Sequence, residues 1–124
     1  MTDRELTDHE RAILEFLTAG DYPGSDAARV QIRLARHGGE WSAGDPSFGV
    51  RVDGSCPRME IPDGILPISD RPVLGVNGSA GGGVMLWVVD GRLDTFECYW
   101  FLDEDRRLPA LGQITTWDDP RLSS

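Results

Sequence analysis

Asp90-Gly91 sits between two β-rich runs, Val84–Val89 and Arg92–Leu102, and no other feature of the chain restricts its fold as much. Aspartate followed by glycine suits a two-residue type I′ turn, whose twist matches that of the strands it joins. A plain turn places Val88 opposite Leu93 but puts Phe96 on the wrong face. One bulge at Asp94-Thr95 restores a consistent alternation. Val84, Leu86, Val88, Leu93, Phe96, Cys98 and Trp100 then face the core. Met85, Trp87, Val89, Arg92, Glu97 and Tyr99 face away from it.

Upstream, the period is helical. Thr7 followed by Glu10 is a capping box, and Ile13, Leu14, Phe16 and Leu17 supply an apolar stripe, which predicts a helix over residues 7–19 ended by Gly20. Asp21-Tyr22-Pro23-Gly24 is a turn. Ser25 is a good N-cap for a second helix over residues 25–37, stopped by Gly38-Gly39. Then the period changes to 2: Phe48, Val50 and Val52 alternate with polar residues and predict a strand over 47–53. Residues 54–72 are interrupted by proline, 72–77 read as a further strand, and Gly78–Gly83 (GSAGGG) reads as a flexible connector. The hairpin strands span 84–89 and 92–102, and 103–124 read as an extended tail. The chain is predicted to be a single α+β domain over 1–124, with two N-terminal helices on one face of a sheet of about three or four antiparallel strands, a two-layer arrangement.

Composition excludes several function classes. The formal net charge is −9, which repels nucleic-acid phosphates and anionic membranes. All twelve basic residues are arginine, so no lysine-based Schiff base or P-loop chemistry is open to the chain. The polar, charged start MTDRELTDHE lacks the apolar stretch of an export signal, and no run is long enough to span a bilayer; the expected compartment is the cytoplasm. Its two cysteines, Cys56 and Cys98, are expected to be reduced and unpaired.

No catalytic constellation emerges. GSAGGG precedes a strand, whereas a phosphate cradle requires a helix there. His9 falls in the first turn of a helix and His37 at the end of the second, both read as surface or capping residues. Asp103-Glu104-Asp105 and Asp118-Asp119 read as solvated turns. Cys98 is expected to be a core residue. Cys56, in a loop where Arg58 favours the thiolate, is the better placed of the two to react, but an inert loop cysteine is the preferred reading. No metal ligands and no cofactor are predicted, and the chain reads more as a binding protein than as an enzyme.

Two candidate interaction sites remain. The outer sheet face would gather Met85, Trp87 and Tyr99, rimmed by Arg51 and Arg92, and Trp, Tyr and Arg are the residue types enriched in binding hot spots. The alternative is that tail residues Leu108, Leu111, Ile114 and Trp117 fold over this face. A secondary candidate is the Arg29, Arg33 and Arg36 stripe on the second helix. The functional expectation is a non-enzymatic, acidic protein-binding module whose partner is a basic protein or a second copy of itself, present as monomer or homodimer. The competing expectation is a small-ligand-binding protein or modest enzyme with a pocket between the sheet and loop 54–72.

Three segments carry a resemblance. They are Leu6-Thr7 through Leu17, then Gly20-Asp21-Tyr22-Pro23-Gly24 leading to Arg29 and Gln31, then Val88-Val89-Asp90-Gly91-Arg92-Leu93 leading to Phe96-Glu97 and Tyr99-Trp100. Together they resemble a group of small, uncharacterised bacterial proteins with a helical N-terminal half and a late hairpin. In size, charge and build the chain is also similar to immunity proteins, which neutralise a toxin partner; that analogy implies an inhibitor of a basic toxin. The resemblance carries no catalytic residue onto any position here.

Overall fold

Asp90 and Gly91 both adopt positive φ, 53° and 74°, as a type I′ turn requires, and the strands on either side pair antiparallel from Val89 opposite Arg92 to Gly82 opposite Trp100. The computed structural model describes residues 3–123. Strand β5 (Ala80–Val89) faces β6 (Arg92–Trp100), with Val88 opposite Leu93 and Trp87 opposite Thr95, so the extra residue is Asp94. This bulge places Val84, Leu86, Val88, Leu93, Phe96 and Cys98 in the core, as the alternation predicts.

Around this hairpin the described residues form an α+β fold: two α-helices, α1 (Asp8–Leu17) and α2 (Ser25–Leu34), and one antiparallel sheet of six strands. The other strands are β1 (Arg36–Glu40), β2 (Phe48–Arg51), β3 (Gly64–Ile65) and β4 (Arg71–Leu74). The sheet order is β1-β2-β6-β5-β3, with β4 also pairing β5, so the last strand inserts between β2 and β5. One buried cluster joins Ile13, Leu14 and Leu17 of α1 and Ala28 and Ile32 of α2 to Leu86, Val88, Leu93 and Phe96. The Thr7/Glu10 capping box forms: the Thr7 hydroxyl accepts from the Glu10 amide and the Glu10 carboxylate accepts from the Thr7 amide.

Several sequence expectations are corrected. The sheet has six strands rather than three or four. Helix α2 stops at Leu34, because Ala35 is extended and the Arg11 guanidinium donates to the carbonyls of Ile32 and Ala35 at the helix end. Residues Arg36–Glu40 are therefore strand β1, and Arg36 and His37 leave the helix. The N-cap of α2 is Gly24, at φ 91°, rather than Ser25; a Cβ there would come within 2.9 Å of Met59. Four of the six residues of GSAGGG belong to a strand: β5 begins at Ala80, and Cβ atoms on Gly82 or Gly83 would run into the β6 backbone or the Tyr99 ring. These glycines let two strands and an aromatic ring approach closely. The tail is not simply extended. It holds three short 3-10 turns, at Asp103–Asp105, Leu111–Gln113 and Pro120–Ser123, and Ile114 pairs with Val73.

Buried polar side chains repair the sheet where it is interrupted. The 3-10 turn Pro67–Ser69 separates β3 from β4 along one edge of β5. There the Ser69 hydroxyl accepts from the Leu86 amide and donates to the Leu66 carbonyl. Ser47 does the same beyond β2, accepting from the amide and donating to the carbonyl of Cys98. Each replaces a missing ladder partner, which a buried backbone group otherwise lacks at considerable cost.

Candidate interaction surface

The run Tyr99-Trp100-Phe101-Leu102 cannot all be buried by one strand, since successive side chains point to opposite faces. Trp100 is half-buried against the core, and its indole Nε1 donates to the Arg107 carbonyl at 2.7 Å while the Arg107 guanidinium lies 5.3 Å from its ring centre. Phe101 and Leu102 emerge beyond β6, 63% and 55% exposed. Phe101 lies 6.1 Å from Tyr99, ring centre to ring centre. Trp41, from the β1–β2 loop, is 55% exposed and shares a shallow hollow of about 230 Å³ with Tyr99 and Trp100. A second hollow of about 170 Å³ brings Val76, from the β4–β5 loop, beside Phe101 and Leu102. Three chain segments thus converge at the end of the hairpin remote from its turn.

The rim of this cluster is acidic. Asp45, Glu97 and Asp103 line the first hollow, with Arg106, and Glu104 and Asp105 line the second. Arg106 is engaged by Asp45 at 3.3 Å. Carboxylates therefore outnumber guanidiniums around exposed aromatic rings.

The sequence-derived candidates are distributed differently. Met85, Trp87 and Tyr99 do share the outer sheet face with Arg51 and Arg92, but Met85, Trp87 and Tyr99 are half-buried. Trp87 donates its indole N–H to Glu97 Oε1 at 2.8 Å. Burial, followed by the charges of Asp70 and Glu97, raises the Tyr99 phenol above its ordinary value. The C-terminal turn Pro120–Ser123 packs against β5, and Trp117 donates to the Asp70 carbonyl. Arg92 spends its guanidinium on Gly54 and Asp90. Of the five, Tyr99 is the one that belongs to the exposed cluster. The arginine stripe is divided: Arg29 pairs with Asp26 on α2, Arg33 is exposed, and Arg36 on β1 bonds Asp3 and Glu5. Trp41 and Phe101 lie outside the sequence-derived candidates; the four-residue aromatic and apolar run is the signal that points to Phe101, and an isolated loop tryptophan offers none for Trp41.

The titratable groups fill structural roles. His37 is 3% exposed, stacked on Phe48 at 4.4 Å, with its backbone paired to Arg4. Its Nδ1 accepts from the Gly39 amide, which requires a ring nitrogen without a proton. Burial, then the nearby Arg4 charge, lowers its pKa, with Glu10 at 3.8 Å opposing. Burial acts to raise the Glu10 carboxyl, but the two hydrogen bonds from Arg4 and one from the Thr7 amide hold it below its ordinary value. His9 Nε2 meets the Pro109 carbonyl at 2.8 Å and ties α1 to the tail. Both cysteines are buried and free, which leaves Cys56 shielded despite the neighbouring Arg58, and burial pushes the Cys98 thiol up to about 12. Among the described residues no three His, Cys, Asp or Glu side chains are arranged to hold a metal ion, and no helix is long and apolar enough to cross a membrane.

No family model, curated protein or solved structure matches the chain.

Proposed function

We propose that this protein is a non-catalytic protein-binding module that presents the Trp41, Tyr99, Phe101 and Leu102 cluster to a basic partner, in the manner of an immunity-type inhibitor. The observation that carries the reading is the coincidence of three exposed large apolar side chains from two segments with an acidic rim. Single exposed apolar residues are ordinary, but a cluster rimmed by polar groups is the usual form of an interaction site. Aromatic anchors supply affinity in such sites, and complementary charge speeds encounter. A second copy of this chain fits less well, because it would bring another −9 surface against the same carboxylates.

Photo-cross-linking tests this reading. Phe101 is replaced by benzoylphenylalanine in the producing cells, with the same replacement at Arg33 on the far helix as control. The reading expects a covalent adduct with a basic protein from position 101 and none from position 33. Purified partner should then bind the Trp41→Ala/Phe101→Ala variant at least about thirtyfold more weakly, the scale of a ~2 kcal/mol hot spot. Adducts from both positions or from neither, an adduct only with itself, or unchanged affinity of the variant would each refute it.

A further inference from the structure

A second region of the surface, at the Asp90-Gly91 end of the hairpin, has the character of a small-molecule site. Two hollows meet there. The first, about 320 Å³, lies between the α1–α2 turn and the loop preceding β4, and its walls are the apolar side chains of Tyr22, Pro23, Ile61, Pro62, Ile65 and Ile68. That volume falls at the small end of the roughly 300–1,000 Å³ typical of ligand pockets. The second, about 560 Å³, is polar and contains Arg58, Glu60 and Asp90. Ile61 and Asp63 line both, so Asp63 stands where the apolar groove opens into the polar hollow.

The charges there do not balance. Two guanidiniums, Arg58 at 2.9 Å and Arg92 at 3.5 Å, are both engaged by Asp90, and three carboxylates stand in the same region. Asp63 accepts the Asp90 amide through Oδ1 at 2.8 Å, and its second oxygen has no partner among the described residues. Glu60 has neither a hydrogen-bond nor an ion-pair partner among them. Asp63 at the mouth of the apolar groove, and Glu60 in the hollow it opens into, thus stand without an ion-pair partner among the described residues. An anion would be repelled, and an ammonium would gain an attraction to these exposed carboxylates that a neutral molecule lacks.

The backbone around the groove favours a compact ligand over an extended chain. Strand β3 is the end of the sheet path and has only two residues, with Pro62 and Pro67 on either side. Proline cannot donate to an added strand, and an edge this short gives one little to pair with.

We propose that this groove binds a small organic amine, its apolar body against Ile61, Ile65 and Ile68 and its ammonium beside Asp63 and Glu60. The site is independent of the partner surface, so replacing Trp41 and Phe101 leaves it intact. Three probes with nearly the same apolar body test it by NMR titration of backbone amides at pH 7 and low salt: 2-phenylethylamine, 2-phenylethanol and 3-phenylpropanoate. The amine should give saturable shifts confined to residues 22–24 and 58–68 and the hairpin tip, and should bind at least about tenfold more tightly than the alcohol, with the carboxylate weakest. Raising the salt concentration should narrow the gap, since these carboxylates are exposed. The Glu60→Gln/Asp63→Asn variant keeps the acceptor for the Asp90 amide and should bring the amine down to the alcohol's affinity without changing the alcohol's. No saturable shift, equal affinity for all three probes, shifts centred elsewhere, or an unaltered amine affinity in the double variant would overturn the proposal.

Discussion

At its Asp90-Gly91 end the β5–β6 hairpin is held from within by buried polar groups, and at its other end it is open. The braced end rests on Gln31 of α2, a fully buried amide that donates to the carbonyls of Pro57 and Gly91 and accepts from the Leu93 amide. Gly91 lies so close to the 58–59 segment that a Cβ would stand 2.6 Å from the Met59 carbonyl oxygen. At the open end Trp41, Phe101 and Leu102 contact solvent across most of their surface. The two ends therefore do different work. Buried polar groups at the turn must be satisfied for the fold to form, whereas apolar side chains that stay wet contribute little to the isolated chain. Their benefit appears when something covers them.

The largest effect should come from Gln31→Ala. It leaves the Leu93 amide and the Pro57 carbonyl without partners and opens a cavity, at a cost of about 3–5 kcal/mol, read as a lower denaturant midpoint at unchanged slope. Gly91→Ala, which forces a side chain into a left-handed conformation against Met59, should cost about 1–3 kcal/mol in the same assay.

Acid should weaken the fold away from both hairpin ends. The folded-state pKa of His37 lies below its ordinary 6.5, so the unfolded chain takes up the proton first, and the stability His37 contributes is present above that pH and declines as pH falls below it. The Glu10 carboxyl, held below 4.5, contributes stability that is lost at still lower pH by the same sign. Denaturant midpoints measured from pH 7.5 downward should fall in these two stages, and His37→Phe should flatten the first. The thiols give a smaller, kinetic readout. Two free thiols should react quickly in unfolded protein and slowly in native protein at pH 8, because both cysteines are buried and Cys98 stays protonated.

The hairpin register was legible because a type I′ dipeptide and a strict period of 2 agree once Asp94 is bulged. The capping box was legible because its geometry is local. Strand β1 was not, since Arg36-His37-Gly38-Gly39-Glu40 has no apolar alternation; it is a strand because it pairs with β2 and with Arg4. The Gly81–Gly83 segment misled for the opposite reason: its composition is that of a loop, while Tyr99 and β6 occupy the space its side chains would fill. Gln31 was hidden among polar helix residues, although its place between Ala28 and Ala35, beside Ile32, marks it as part of the inward stripe. Of the candidate site, the sequence revealed Tyr99 and the aromatic character of the hairpin. The approach of Trp41 to Tyr99 and of Val76 to Phe101 depends on loops meeting the end of the hairpin, which no local pattern encodes.

Urea unfolding of the Trp41→Ala/Phe101→Ala variant beside the parent chain tests most directly whether the hairpin's ends divide the work in this way. The account predicts a loss within about 0.5 kcal/mol per site, the ordinary range for exposed positions, with unchanged slope. A loss of about 3 kcal/mol or more would place these rings in the packing that holds the fold together, and would contradict the assignment of the open end to a partner.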